Sequence, residues 1–348
     1  MCFAQKARLG AAMKAREGDI IESFDGLFFD VKGLVHPPER VVSFIRFIPD
    51  PKGDRKRGRG AYRKVYALSE RYALLREVFP QYLVYDPVFG EHLCEVPVEA
   101  VKHCYRPATH LRKLRHQDML DELESQALQF TKLLRKTAGV LWSKLGISGS
   151  ILVKLHTPAS DIDLVVYGSK NCCKVHSALK SLLQEGESGV RPYRLDELGK
   201  LFDFRSKDTV TSFEDFVRTE SRKVLQGKFM GRDYFIRFVK DWNEIEERYG
   251  VVHYKPEGYA KSRARVVDAS EGIFTPCRYK IDCVEVLEGV HATLIEEIVS
   301  FRGRFCEQAK NDETVVAQGK VERVQKEGER EHYRLLLGNK ASDHMVLV

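Results

Sequence analysis

The chain predicts an α+β fold: a central unit of short mixed sheet and helices, flanked by an N-terminal α/β unit and a mostly β C-terminal unit. Three patterns carry this. Leu120, Leu123, Ala127, Phe130, Leu134, Ala138 and Leu141 recur every three or four residues, which makes one apolar helical stripe. The apolar run "DIDLVVYG" follows, and then a second amphipathic segment, "NCCKVHSALKSLLQEG". After about residue 255 helical periodicity gives way to alternating runs separated by Gly-containing turns, which suggests a small barrel. The expected units are residues 1–116, 117–255 and 256–348.

Within the first unit, "GDIIESFDGLFFDVKGLV" reads as two strands around the turn Asp25-Gly26, and "RVVSFIRFIP" as a third. "LSERYALLREVF" reads as a short helix and "QYLVYDPV" as a strand. In the central unit Gly146 is the expected cap of the long helix. "TSFEDFVRTESRKVLQG" gives another helix, with Ser212 capping, and "KFMGRDYFIRFVK" a strand.

Composition narrows the function classes. Hydrophobic residues at 43% and charged residues at 31% describe a folded chain. No apolar run approaches the roughly 20 residues that span a bilayer. The start, "MCFAQKARLGAAMKAR", lacks the apolar core of a secretory signal, so a cytoplasmic location is expected. The eight cysteines contain no CxxC pair, so reduced thiols are expected, with neither disulfide nor zinc motif. The net charge of +7 permits a polyanionic partner. Seven Lys/Arg and three Gly fall within residues 52–64. This is expected to be a flexible loop whose Arg55, Lys56, Arg57 and Arg59 contact RNA phosphates.

Asp161 and Asp163 are the candidate catalytic pair. Residues two apart on a strand point the same way, so both carboxylates share one face. Two anions at that separation repel unless a cation lies between them, and Mg²⁺ suits carboxylate and phosphate oxygens. Upstream, Gly149-Ser150 opens the segment "SILVKL". If that segment starts a helical turn, its free N–H groups and the small glycine would cradle phosphates.

Gly149-Ser150, ten residues, then Asp161-Ile162-Asp163-Leu164 resembles the signature of the DNA polymerase β-like nucleotidyltransferases. The chain as a whole resembles predicted nucleotidyltransferases of archaea. The likeness covers Leu134 to Leu183 and leaves both outer units unmatched. It implies that the central unit is a nucleotidyltransferase core. It further implies transfer of NMP from an NTP to an acceptor hydroxyl, with two Mg²⁺ ions, or Mn²⁺ in their place, held by Asp161 and Asp163. Gly149 and Ser150 would cradle the phosphates, with Ser160 also at the nucleotide. The resemblance implies a third acid on a neighbouring strand. Asp233 is preferred, with Arg237 on the same face suited to a phosphate, and Asp282 is the alternative. RNA is the expected acceptor, ahead of a small molecule or a protein hydroxyl. The alternative function is an inactive transferase fold that binds nucleotide or RNA. His156, Lys154, Arg218, Arg222 and Lys223 are expected mainly at the surface.

Overall fold

A computed structural model describes residues 13–186, 188–290 and 295–348. The opening segment "MCFAQKARLGAA" lies outside the described residues. Helices and strands are both abundant and the strands form three sheets, so the α+β class holds.

The central sheet has five strands in the order Val190–Arg191, Gln226–Phe229, Arg232–Val239, Ile162–Tyr167, Leu145–Ile147. Ile162–Tyr167 runs parallel to Arg232–Val239 and antiparallel to Leu145–Ile147. Its alternation sets two faces. Ile162, Leu164 and Val166 join the large core beneath the helices Glu122–Ala138 and Ser169–Glu185. The opposite face carries Asp163, Val165 and Tyr167. Val165 and Tyr167 pack with Val239, Leu34 and Ala108.

The long helix starts where its chemistry dictates. Asp121 accepts from the Glu124 N–H at 2.8 Å, and the Glu124 carboxylate reaches back to the Asp121 N–H, closing a capping box. It ends at Gly139, whose φ of +62° is left-handed, and not at Gly146. Gly146 lies within Leu145–Ile147, where a Cβ would lie 2.5 Å from Pro107 Cβ, so its smallness serves close packing. Leu141 lies beyond the cap and is exposed.

The N-terminal unit is mostly β. Its eight-stranded sheet includes Ile20–Ser23 and Phe28–Val31 around the expected turn, and the α-helix Leu68–Glu77 packs with it. The helix Pro107–Leu114 sends Leu111 and Leu114 into the central core. The basic segment 52–64 is not a flexible loop. It folds as the hairpin Arg55–Arg57 and Gly60–Lys64, at the edge of the sheet next to Arg40–Pro49.

In the C-terminal sheet, Val252–Asp268 pairs with both Cys277–Gly289 and Thr314–Lys326. Ile295–Ser300 and His332–Leu337 complete the ring, so the sheet closes on itself, with His344–Leu347 added beside Thr314–Lys326. Closure removes the free edges that a small sheet would otherwise expose.

Two contacts fix the N-terminal sheet to the central one. Ile20, Phe28 and Phe47 bury themselves against Leu152, Val153 and Leu155, just after the Gly-Ser pair. Gly18, at φ +94°, lets the backbone approach Val165, where a Cβ would meet Cγ2 at 3.0 Å.

Phe130 tests the support under the carboxylate strand. It is fully buried, stacked on Phe229 at 4.6 Å and tilted against Tyr234 at 4.8 Å. Phe130→Ala should destabilise the central unit by about 3–5 kcal/mol, seen as an earlier denaturant midpoint by circular dichroism.

Candidate functional site

The sequence pair Gly149-Ser150 and the acid Asp163 meet in space. The Ser148 N–H donates to the Asp163 carbonyl at 2.8 Å, which docks the turn onto the strand. Gly149 has φ +61°, and a Cβ there would lie 2.0 Å from Asp163 Oδ2. Glycine is therefore required twice, by backbone conformation and by the carboxylate pressed against it. The short helix Gly149–Leu152 follows. Ser150 is buried, and its hydroxyl oxygen has no hydrogen-bond partner, which is costly unless something else contacts it.

The electrostatics are strained in the same place. Burial, then repulsion from Asp161, raises the Asp163 pKa to about 6, against attraction from Arg237, Lys64 and Arg46. Lys64, from the N-terminal hairpin, faces the pair. Burial lowers its pKa to about 8, with Arg46 adding repulsion, against the pull of Asp161 and Asp163. Arg237 follows Phe235 on the neighbouring strand and donates to Glu17 at 2.7 Å. Glu17 is fully buried and also takes Lys32 Nζ at 2.7 Å and the Gly33 N–H at 2.8 Å. The N-terminal unit thus supplies Lys64 and Arg46, and the acid that orients Arg237.

The other expected site residues divide. The parallel register Ile162↔Tyr234 puts Asp233 level with Asp161, and Asp163↔Phe235 puts an aromatic ring level with Asp163. Asp233 is half-exposed and paired with Lys228 at 2.9 Å. Asp282 lies in the C-terminal barrel, paired with Arg265 at 2.6 Å, on the far side of a domain boundary that the linear pattern does not show. Among the described residues, neither joins Asp161 and Asp163 in a trio of ligand atoms within 4.8 Å of one another. Ser160 is corrected from a nucleotide contact to a turn residue: its hydroxyl accepts from the Thr157 N–H at 2.9 Å and from Arg55 at 3.4 Å.

The basic row is also corrected. Arg55 is buried and donates to the Leu155 carbonyl at 2.6 Å. Arg57 donates to Glu22 at 3.0 Å and to the Tyr105 hydroxyl at 2.5 Å. Alternation on the strand turns Arg55 and Arg57 inward and Lys56 outward, and Arg59 lies in the turn, so only Lys56 and Arg59 of the four remain exposed. His156 is not a plain surface residue, since its Nε2 lies 2.6 Å from Asp121 Oδ2. Lys154 pairs with Glu124, Arg222 with Glu313, and Lys223 is buried against Glu220. Arg218 pairs with Asp215 and donates to the Leu347 carbonyl, so neither Arg222 nor Arg218 stands as a bare surface cation.

Sequence patterns missed Lys64, Arg46 and Glu17, because nothing local marks a residue that acts through domain docking. They also missed a trio, Asp121, Glu124 and His156, whose ligand atoms lie within 4.8 Å of one another, a group that could hold a metal ion. The capping-box motif was the one available signal. A cavity of about 680 Å³ lies between the N-terminal and C-terminal sheets, lined by Lys32, Phe44, Tyr254, Phe301, Arg302 and Arg334 among others.

The chain is 32% identical over 335 residues to the uncharacterized protein MJ1086 of Methanocaldococcus jannaschii, covering 94% of this chain and 96% of that one. The chain belongs to the MJ1086 family. No family model matches, and no solved structure matches. Among the described residues, Cys94, Cys104, Cys172, Cys173, Cys277 and Cys306 are free thiols, and no helix is long and apolar enough to cross a membrane.

Two predictions follow from this geometry. A carboxyl whose folded pKa is raised holds a proton that the unfolded chain releases. Asp163 therefore makes stability fall as pH rises from 3.8 to about 6, and stability stays lowered above that window. Without metal, Asp163→Asn should raise stability near neutral pH by on the order of 1–2 kcal/mol and flatten that slope in pH-resolved melts. For the hairpin, Arg55→Ala should lower the melting temperature, because it leaves the Leu155 carbonyl unsatisfied. The double change Lys56→Ala, Arg59→Ala should leave it unchanged.

Proposed function

We propose that the chain is a metal-dependent nucleotidyltransferase that moves NMP from an NTP to an acceptor hydroxyl. The observation that carries this reading is a half-buried carboxylate pair, with Asp163 pressed against a Gly-Ser turn that has an unpartnered hydroxyl, and with Lys64 and Arg237 close by. Fold stability alone gives no reason for that arrangement. A divalent cation answers the mutual repulsion of the carboxylates, and an anionic phosphate answers the cations and the serine hydroxyl.

The residues fit Mg²⁺ in part. Asp161 and Asp163 would hold it, and bound there it would neutralise phosphate charge and favour ionisation of the attacking hydroxyl. Lys64 and Arg237 balance the charge of the triphosphate, and Glu17 keeps the Arg237 guanidinium in place. Gly149 leaves room for the Asp163 carboxylate itself, and Ser150 offers a phosphate its hydroxyl. Asp233 is the candidate third acid, since it heads the neighbouring strand level with Asp161. The inner arginines of the hairpin, Arg55 and Arg57, are engaged internally, which leaves few cations there for an RNA backbone. A small hydroxyl compound is therefore favoured over RNA as acceptor. A second reading, nucleotide binding without transfer, has Phe235 in its favour, because an aromatic ring stands level with Asp163.

The deciding experiment supplies α-labelled NTPs and Mg²⁺ with either total RNA or a small-molecule extract. Label entering the extract, abolished by Asp161→Asn, is the expected result, and label entering RNA would return RNA as the acceptor. Nucleotide binding with no label in either pool would establish the second reading. Absence of metal-dependent NTP binding would exclude both. Lys64→Met should weaken NTP binding by about tenfold, or about 1.4 kcal/mol, in equilibrium dialysis.

A further inference from the structure

The acids and imidazoles around the start of the helix Glu122–Ala138 form a second polar centre, separate from Asp161 and Asp163. Asp121 Oδ2, a Glu124 carboxylate oxygen and a His156 ring nitrogen lie within 4.8 Å of one another. Two buried imidazole nitrogens here have no hydrogen-bond partner: His156 Nδ1 and His110 Nε2. His110 comes from the helix Pro107–Leu114 and lies within electrostatic reach of Glu124, Lys154 and His156. A buried nitrogen without a partner carries a desolvation cost, and two of them beside two carboxylates need an occupant.

We infer that Asp121, Glu124 and His156 form a binding site for one late first-row divalent cation of the zinc class, with His110 next to it. The donor chemistry chooses the class. An imidazole and two carboxylates, with a second unpartnered imidazole nearby, suit zinc's preference for nitrogen and oxygen, whereas Mg²⁺ demands an oxygen shell. Lys154 now neutralises Glu124, from a left-handed backbone position at φ +55°. Its side chain is 47% exposed, so it turns into solvent when the cation takes the carboxylate.

The cation would join three segments: the helix bearing His110, the capping box, and the loop 156–160. That loop is the covalent link between the Gly-Ser turn and Asp161. Arg55 holds it from the N-terminal sheet through the Leu155 carbonyl and Ser160 hydroxyl, and Arg232 through the Pro158 carbonyl at 2.5 Å and the Ser160 carbonyl at 3.2 Å. The cation would be a third clamp, at the start of the helix whose first turns Arg232 also touches through Glu122 and Gln126. Its role is positional, and it does not depend on nucleotidyl transfer.

The test counts metal in the full-length chain, stripped with a chelator, dialysed against Zn²⁺ and freed of excess. One zinc per chain is expected to remain, undisplaced by a large excess of Mg²⁺. Loading with Co²⁺ instead should give the visible absorption of a tetrahedral site. His110→Ala and His156→Ala should each weaken Zn²⁺ binding by about 100-fold or more, since even residues supporting a ligand cost 10–100-fold. The double change Asp161→Asn, Asp163→Asn should leave zinc content at one. Failure of the unmutated chain to retain zinc would overturn the inference, whatever the variants do. So would zinc that survives both histidine changes, or zinc lost with Asp161 and Asp163.

Discussion

The docking of the N-terminal sheet onto the front face of the central sheet governs the candidate site. That face carries Asp163, Val165 and Tyr167, a row no central helix covers. Left open, it would expose Val165 and Tyr167 to water. Covered, it leaves Asp163 half-buried, and burial becomes the largest influence on that carboxyl. The apolar contacts of Ile20, Phe28 and Phe47 with Leu152, Val153 and Leu155 supply the adhesion. The charges around Asp163 are the consequence.

Those charges come from two units. Asp161, Asp163 and Arg237 belong to the central sheet, whereas Lys64, Arg46, Lys32 and Glu17 belong to the N-terminal one. Glu17 ties the groups together by accepting from Lys32 and Arg237 with one oxygen and from the Gly33 N–H with the other. A buried carboxylate so fully hydrogen-bonded orients its partners more than it stabilises the fold. Asp163 sits instead against Gly149, with Arg237, Lys64 and Arg46 attracting it and Asp161 repelling it.

The loop 156–160 shows the same division between motif and support. The signature spacing from Ser150 to Asp161 gives only a length. Arg55, Arg232 and the cluster of His156 with Asp121 determine how that length is laid down. Ser160, adjacent to the first acid in sequence, spends its hydroxyl inside the loop and stabilises the turn that delivers Asp161.

By itself the sequence determined the local elements. Helical and strand periodicities gave the long helix, the carboxylate strand and the hairpin at Asp25-Gly26, because those signals come from residues two to four apart. It also paired Gly149-Ser150 with Asp163, since a turn and the strand returning from it are neighbours in the chain. Tertiary structure decided the rest. Asp282 and Asp233 each sit beside apolar strand residues, yet only Asp233 shares a sheet with Asp163, because strand pairing over such separations is not written in local pattern. Arg55 looks the same as Arg59 in a basic run, yet the fold put Arg55 on a strand facing inward and Arg59 in the hairpin turn, in solvent. Lys64 and His110 gain their roles from segments brought together by core packing, and the free energy of that packing comes from apolar surfaces that carry no mark of the chemistry they assemble.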